Sequence, residues 1–164
     1  MMPEQWVVNA SPLILLAKIN QIHLLGELAD QVVVPQTVLA EVNAGPAHDP
    51  ARLLLANPPF SIVNVVPSPM ILAWDLGDGE TSVLSYAATQ PGWKAVVDDG
   101  AARRWALTFA IPLLGTLSVI LRARQAGLSA AAAPLLKSLK AEGIRLDDGV
   151  IRIALHSVCG ESWE

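Results

Sequence analysis

The sequence predicts an α/β fold in which helices cover both faces of a parallel sheet. Five short runs rich in Val, Ile and Leu alternate with helix-like stretches over 164 residues. Most of these runs are continuously apolar, which is typical of strands buried on both faces of a parallel sheet. The length suits one domain, and we predict a single domain over residues 1–164. The predicted strands are WVVN (6–9), QVVVP (31–35), SIVNVV (61–66), KAVVD (94–98) and IPLLG (111–115).

Capping signals predict where several helices begin and end. Ser11 is a natural N-cap and Pro12 suits the first helical position, so the first helix is expected to start there. Asp78 is predicted to cap a further helix, and Gly127 and Gly143 stand where C-cap glycines belong. The remaining predictions are helices over 21–29, from 36 onwards, 79–89, 100–110, 116–126, 131–142 and 147–158, and a proline-rich loop with one short helix over 43–60.

The composition indicates a chain with extensive burial. Apolar residues make up 52% and charged residues 16%, and the mean hydropathy is +0.44. Such a composition, with Trp74, Trp93, Trp105 and Trp163 outside the predicted strands, favours a homodimer with an apolar interface. No apolar run approaches the roughly 18 residues of a membrane span, and no signal peptide is evident. We therefore expect a cytoplasmic protein with no membrane partner, and the single Cys159 excludes an intrachain disulfide.

Charge is distributed unevenly along the chain. The formal net charge of −4 argues against a general nucleic-acid binder. Residues 1–93 contain 2 basic and 8 acidic side chains, whereas residues 94–164 contain 9 basic and 7 acidic ones. This asymmetry fits either ordinary surface scatter or an acidic site built by the first half and flanked by Arg and Lys from the second.

Polar side chains follow the predicted strands. Asn9 ends the first run, Asp98 and Asp99 follow the fourth, and Glu41 lies one turn into the helix after the second. In open parallel α/β sheets, ligands bind outside the carboxyl ends of the strands, near the point where strand order reverses. The candidate site residues are therefore Asn9, Glu41, Asp78, Glu80, Asp98, Asp99 and Thr116.

Each candidate also has an ordinary structural role. Asp78 could cap a helix, Glu80 could favour a helix dipole by roughly 0.3–1 kcal/mol, and Asp98 with Asp99 could form a turn or a cap. Taken together, carboxylates at one end of a sheet repel each other, and a hard divalent cation is the simplest compensation. Mg²⁺ prefers oxygen ligands and retains several waters, which leaves room for phosphate oxygens.

Five segments in order carry a resemblance to a known family. They are NASPLI (9–14), PQTVLAEV (35–42), LGDGETSVLSYA (76–87), DDGAAR (98–103) and IPLLGTLSVILRARQAGL (111–128). On these segments the chain resembles the PIN domain, the α/β nuclease fold of VapC-type toxins, and within it a branch with NxSPLI and GTL motifs. The resemblance covers nearly the whole chain, to about residue 155. It implies a three-layer α/β/α fold with a five-stranded parallel sheet of order 3-2-1-4-5.

The resemblance also implies an activity, a cofactor and partners. The activity would be hydrolysis of RNA by a ribonuclease that depends on Mg²⁺ or Mn²⁺ and could be the toxin of a toxin–antitoxin pair. Its partners would be RNA, a protein antitoxin and a second copy of the chain. The catalytic and metal-binding set would be Asn9, Glu41, Glu80 and Asp99, with Asp98 and Asp78 as extra candidate ligands and Ser11, Thr116, Arg103 and Arg104 as supporting or phosphate-binding residues.

Position 9 departs from the family pattern, because most PIN domains have Asp where this chain has Asn9. An amide oxygen can still bind Mg²⁺, but one formal negative charge is lost, so we expect weaker metal binding and slow or absent turnover. The alternative function is therefore a catalytically weak or inactive module that binds RNA or a protein partner.

Other sites and folds fit the sequence less well. His23, His48 and His156 show no ligand spacing and are interpreted as structural or surface residues. A phosphoacceptor receiver domain would need an acidic pair after the first strand, where this chain has Asn9 and Ala10. A dinucleotide-binding fold is disfavoured because no GxGxxG follows the first strand.

Overall fold

The computed structural model describes residues 3–164 and contains a sheet of five parallel strands. They are β1 (Gln5–Val8), β2 (Gln31–Pro35), β3 (Ser61–Val63), β4 (Trp93–Val96) and β5 (Leu113–Leu114). Their spatial order is β3-β2-β1-β4-β5, and every neighbouring pair is parallel. The predicted fold class and strand order are confirmed.

Helices connect the strands and flank the sheet. Within residues 3–164, no helix is long and apolar enough to cross a membrane. The helices are α1 (Ala10–Lys18), α2 (His23–Leu28), α3 (Gln36–Asn43), α4 (Pro50–Leu55), α5 (Pro69–Leu72), α6 (Asp78–Thr89), α7 (Gly100–Thr108), α8 (Thr116–Gln125), α9 (Ala133–Ala141) and α10 (Asp148–Ala154), and a π-helical turn (Leu155–Cys159) continues α10.

The centre of the sheet places the end of β1 beside the end of β4. Trp6, Val7 and Val8 are fully buried between the neighbouring strands β2 and β4. Directly after β1, the backbone N–H of Asn9 donates to the carbonyl of Val96 at 3.1 Å. Because strand order reverses between β1 and β4, this edge is the switch point at which open α/β sheets bind ligands.

The edge strands are shorter than predicted. β3 stops at Val63 because its pairing partner β2 ends at Pro35, where the chain turns into α3. β5 consists only of Leu113 and Leu114, which pair with Ala95 and Val96. The prolines after β3 belong to an extended segment and to α5, a short helix that the sequence reading missed.

The tryptophans do not form the apolar surface that their positions suggested. Trp74, Trp93 and Trp163 are buried in the core of the chain, and only Trp105 is exposed, at 38%. Three of these four tryptophans are therefore not available for a dimer interface. Trp93 begins β4, while Trp74 and Trp163 lie outside the strands, and their burial depends on tertiary packing that local sequence patterns do not specify.

Candidate active site

Asn9 is the central residue of the site. It occupies the N-cap position of α1 with extended backbone dihedrals, which corrects the prediction that Ser11 caps this helix. Its side chain is 3% exposed and makes no capping hydrogen bond. Its Oδ1 has no hydrogen-bond partner in the described part of the chain. A buried polar atom without a partner costs about 1–3 kcal/mol, so this oxygen is suited to a ligand that can satisfy it.

Glu41 brings a carboxylate oxygen to the same place. A Cβ added to Gly79 would lie 2.8 Å from Glu41 Oε2 and 2.9 Å from Asn9 Oδ1. The two oxygens therefore converge on the backbone of α6 at a residue that has no side chain. Close packing of α3 against α6 produces this arrangement.

Negative charge concentrates around Glu41. The pKa of Glu41 is raised above the ordinary carboxyl value, first by partial burial of its carboxyl and then by the charges of Glu80 and Asp78. Both of these acids lie in the first turn of α6. Asp78 does not cap α6 as predicted, because the helix begins at Asp78 itself with Gly77 in the N-cap position. Three carboxylates on α3 and α6 therefore repel each other beside Asn9.

The two aspartates after β4 have different structural partners. Asp99 caps α7, since its Oδ2 accepts a hydrogen bond from the backbone N–H of Ala102 at 2.9 Å. Asp98 accepts from the backbone N–H of Thr116 at 2.8 Å and from the Thr116 hydroxyl at 2.5 Å. Thr116 is fully buried and is the first residue of α8, after an N-cap at Gly115. Its hydroxyl holds Asp98 in place.

A cleft of about 820 Å³ collects most of the predicted residues. Glu41 is not part of the cleft wall, but its carboxylate lies near Gly79 beside Asn9, which is. Arg104 is exposed on α7 and lies outside the wall. Arg103 is half-buried in the wall, and its Nη1 donates to the carbonyl of Val97 at 2.9 Å. The predicted residues that line the cleft are Asn9, Ser11, Glu80, Asp98, Asp99 and Arg103.

The cleft has a second wall that the sequence analysis did not foresee. It comes from the connection between α9 and α10 and includes Gly143, Ile144, Arg145 and Leu146. The only local signal was an arginine in a short turn between the C-cap Gly143 and the start of α10. The place of this arginine in the same cleft as the acidic residues depends on how α9 packs, which no local pattern encodes.

The histidines lie away from this cleft. His23 forms an exposed pair with Glu27 at 2.9 Å, and His48 and His156 are exposed. A second cavity of about 870 Å³ includes His23, but it lies at the amino ends of the strands and contains none of the predicted site residues. This arrangement agrees with the interpretation of all three histidines as structural or surface residues.

The chemistry of the donors fits a hard divalent cation. Asn9 Oδ1 is a buried oxygen without a partner in the part of the chain that the structure describes, and the charges of Glu80 and Asp78 repel the neighbouring carboxylate of Glu41. Among residues 3–164, no three His, Cys, Asp or Glu side chains are grouped closely enough to hold a metal ion by themselves. The amide oxygen of Asn9 and several waters would have to complete the coordination, as is usual for Mg²⁺.

Comparison with known proteins identifies the family. A family model, DUF3368, described as a PIN domain, matches residues 5–159. The chain therefore belongs to the PIN domain family, a membership that generally implies nuclease activity. A comparison with curated proteins finds no match.

Proposed function

We propose that this protein is a metal-dependent ribonuclease that hydrolyses RNA phosphodiesters in the cleft beside Asn9. The observation that carries the proposal is the buried Oδ1 of Asn9, which has no partner within residues 3–164 and converges with Glu41 Oε2 on Gly79. This pair of oxygens lies at the switch point of the sheet, next to a cleft whose wall includes Glu80 and Asp99. Family membership supports the same class of activity.

In this proposal, Asn9, Glu41, Glu80 and Asp99 would hold Mg²⁺ or Mn²⁺ together, with some of the carboxylates acting through bound water because the three acids are not close enough to bind one ion directly. A divalent ion bound there would supply activation of water and stabilisation of negative charge on the phosphate. In the hydrolysis, the water oxygen bonds to phosphorus while the bond from phosphorus to the leaving ribose oxygen breaks.

The other polar residues of the cleft keep the substrate and the acids in position. The hydrogen bond from Arg103 to Val97 fixes its guanidinium in the wall of the cleft, and its remaining N–H groups can bind a phosphate oxygen. Thr116 orients Asp98 through two hydrogen bonds. Asp98 and Asp78 would contribute as additional ligands or as charges near the ion.

A specific observation favours the second candidate function, a weak or inactive module that binds RNA or a protein. Position 9 supplies a neutral amide, and one oxygen of Asp99 is already used to cap α7. Both features reduce the charge available to a metal. In this reading the cleft binds RNA without hydrolysing it, or a protein such as an antitoxin covers it.

We also propose that the protein forms a homodimer, with an interface smaller than the four tryptophans suggested. Trp105 stacks on the buried Trp74 at 5.0 Å between ring centroids, and Phe109 packs against both rings. Trp105 and Phe109 are partly exposed, and the neighbouring Leu107 is largely exposed. An aromatic cluster of this kind at a surface is suited to a partner copy of the chain.

A ribonuclease assay tests the proposal. Wild type, Asp99→Asn, Glu41→Gln and Glu142→Gln would be incubated with single-stranded RNA in Mg²⁺, in Mn²⁺ and in EDTA. Asn is a good N-cap, so Asp99→Asn keeps α7 capped while removing a charge. Glu142 is exposed at the end of α9 outside the cleft and is the matched control.

The expected result is cleavage that requires a divalent ion, is lost in Asp99→Asn and Glu41→Gln, and is kept in Glu142→Gln. Absence of cleavage with every divalent ion would contradict the nuclease and favour the binding module.

A further inference from the structure

The connection between α9 and α10 lines the same cleft as the acidic residues. After α9, Gly143 adopts a φ of +97°, and the N–H of Ile144 donates to the carbonyl of Leu139 at 3.1 Å. Ile144 is buried in the core. The turn therefore presents the next residue, Arg145, to the cleft from a fixed position.

Contacts on the other side of Arg145 hold the same segment. Lys140 Nζ donates to the carbonyl of Leu146 at 2.9 Å and pairs with Asp148 at 3.3 Å. Asp147 caps α10 by accepting from the N–H of Val150 at 3.2 Å. Arg145 is thus carried by a backbone that is anchored before and after it, so binding a ligand there would require little ordering of the chain.

The side chain of Arg145 has no protein partner in the described part of the chain. It is exposed, lines the cleft, and takes part in none of the ion pairs or side-chain hydrogen bonds within residues 3–164. Arg103, the other arginine of the cleft, is committed to the Val97 carbonyl. Although Glu80, Asp98 and Asp99 line the same cleft, none of them forms an ion pair with Arg145.

We propose that Arg145 binds a phosphate of the RNA backbone adjacent to the phosphodiester that is cleaved. This inference rests on the proposed function, because it assigns the ligand of the same cleft. A phosphodiester is repelled by three carboxylates in the wall, so its entry needs cationic groups. The guanidinium of Arg145 presents five N–H donors in a planar fork that matches phosphate oxygens, and no group within residues 3–164 accepts from them.

The position of Arg145 separates its role from that of the metal-binding residues. It lies on the connection between α9 and α10, whereas the proposed metal ligands follow β1 and β4 or lie on α3 and α6. Arg145 therefore acts in binding the strand, and its loss is expected to raise KM while leaving kcat unchanged. A phosphate contact also contributes to the salt dependence of binding, by about 0.7 per phosphate in the slope for a single strand.

The test measures binding of a fluorescent single-stranded oligoribonucleotide by anisotropy in EDTA, where a metal-dependent reaction does not proceed. Arg145→Gln, Arg145→Lys and the control Arg152→Gln would be compared with wild type over a range of salt concentrations. Arg152 is exposed on α10 and outside the cleft, so its substitution removes the same charge from the same region. Thermal unfolding checks that all variants are folded.

The expected result is a Kd about 5–20-fold weaker for Arg145→Gln, with the salt slope reduced by about 0.7, and near-wild-type binding for Arg152→Gln. Arg145→Lys should recover part of the loss because it keeps the charge without the fork. Equal Kd values for Arg145→Gln and Arg152→Gln, or no RNA binding by wild type, would overturn the inference. A third outcome is that Arg145→Gln binds RNA more weakly than wild type, but wild type never cleaves RNA. That result would refute the proposed nuclease activity and still support the phosphate contact.

Discussion

Asn9 and Glu41 meet over Gly79, where their side-chain oxygens would lie 2.9 and 2.8 Å from an added Cβ. Asn9 follows β1, Glu41 lies in α3, and Gly79 lies in α6. Both oxygens lie within 3 Å of one point, and that of Asn9 is buried with no partner among residues 3–164, so a positive group or a hydrogen-bond donor there would stabilise them. This contact is the basis of the predictions that follow.

Gly79→Ala tests the contact directly. Alanine normally stabilises a helix by up to about 1 kcal/mol relative to glycine, but here the new methyl group would lie within 3 Å of both oxygens, and the buried Asn9 has less room to move away than the exposed Glu41. We expect the free energy of unfolding to fall by about 1–3 kcal/mol in urea denaturation, with weaker Mn²⁺ binding. Gly26 in α2 has nothing within 4 Å of an added Cβ, so Gly26→Ala is the control and should be neutral or stabilising. Equal behaviour of the two variants would contradict the contact.

Asn9→Asp is expected to change metal affinity and apo stability in opposite directions. A carboxylate at this buried position adds charge beside Glu41, so the metal-free protein should lose at least about 1 kcal/mol of stability. A bound divalent cation compensates the same charge, so titration calorimetry should show tighter Mn²⁺ binding and thermal unfolding should show recovery of Tm with metal. Unchanged affinity would mean that residue 9 does not face the ion.

The raised pKa of Glu41 predicts that the stability of the metal-free protein depends on pH. Its pKa is raised in the folded state, so the folded protein binds more protons than the unfolded chain above the ordinary carboxyl value of 4.5. Its contribution to stability is fully present below pH 4.5 and is lost as pH rises through the folded pKa. Wild type should therefore lose stability relative to Glu41→Gln as pH rises.

Metal binding should show the reverse trend, because only the ionised carboxyl of Glu41 binds a cation. Mg²⁺ affinity is expected to rise over the pH range in which apo stability falls, and Glu41→Gln should flatten both curves. Parallel pH profiles for wild type and Glu41→Gln would show that this carboxyl is not coupled to its acidic neighbours.

Thr116→Val removes one of the two hydrogen bonds that hold Asp98. Valine keeps the buried volume but leaves the carboxylate with one partner fewer, at a cost of about 1–3 kcal/mol in the free energy of unfolding. Thr116→Ser retains the hydroxyl and should cost less. A double-mutant cycle with Asp98→Asn measures the coupling, and additive effects of the two substitutions would contradict it.

Local signals predicted the fold well because they act over short distances. Continuous apolar runs identified the inner strands, and Gly127 and Gly143 end their helices with φ values of +77° and +97°. The strand order came from the resemblance, since nothing local specifies which strands are neighbours. The helix starts were less accurate. Asn9 takes the N-cap position predicted for Ser11, because its backbone N–H still pairs with Val96 of the sheet.

The acidic residues of the site could be proposed from sequence, whereas the place of Arg145 in the cleft could not. Asn9, Glu80 and Asp99 follow strands or open helices at the edge that the topology defines, and all three line one cleft. Arg145 follows no strand, and only the packing of Ile144 and the anchoring of Leu146 place it in that cleft.

The most direct test of the central claim is Mn²⁺ binding by titration calorimetry, with wild type, Glu41→Gln and the control Glu142→Gln measured under the same conditions. We expect one binding event that is weakened at least about tenfold in Glu41→Gln and unchanged in Glu142→Gln. Equal affinities in all three proteins, or no binding by wild type, would contradict the claim that Asn9 and its acidic neighbours form a divalent-metal site.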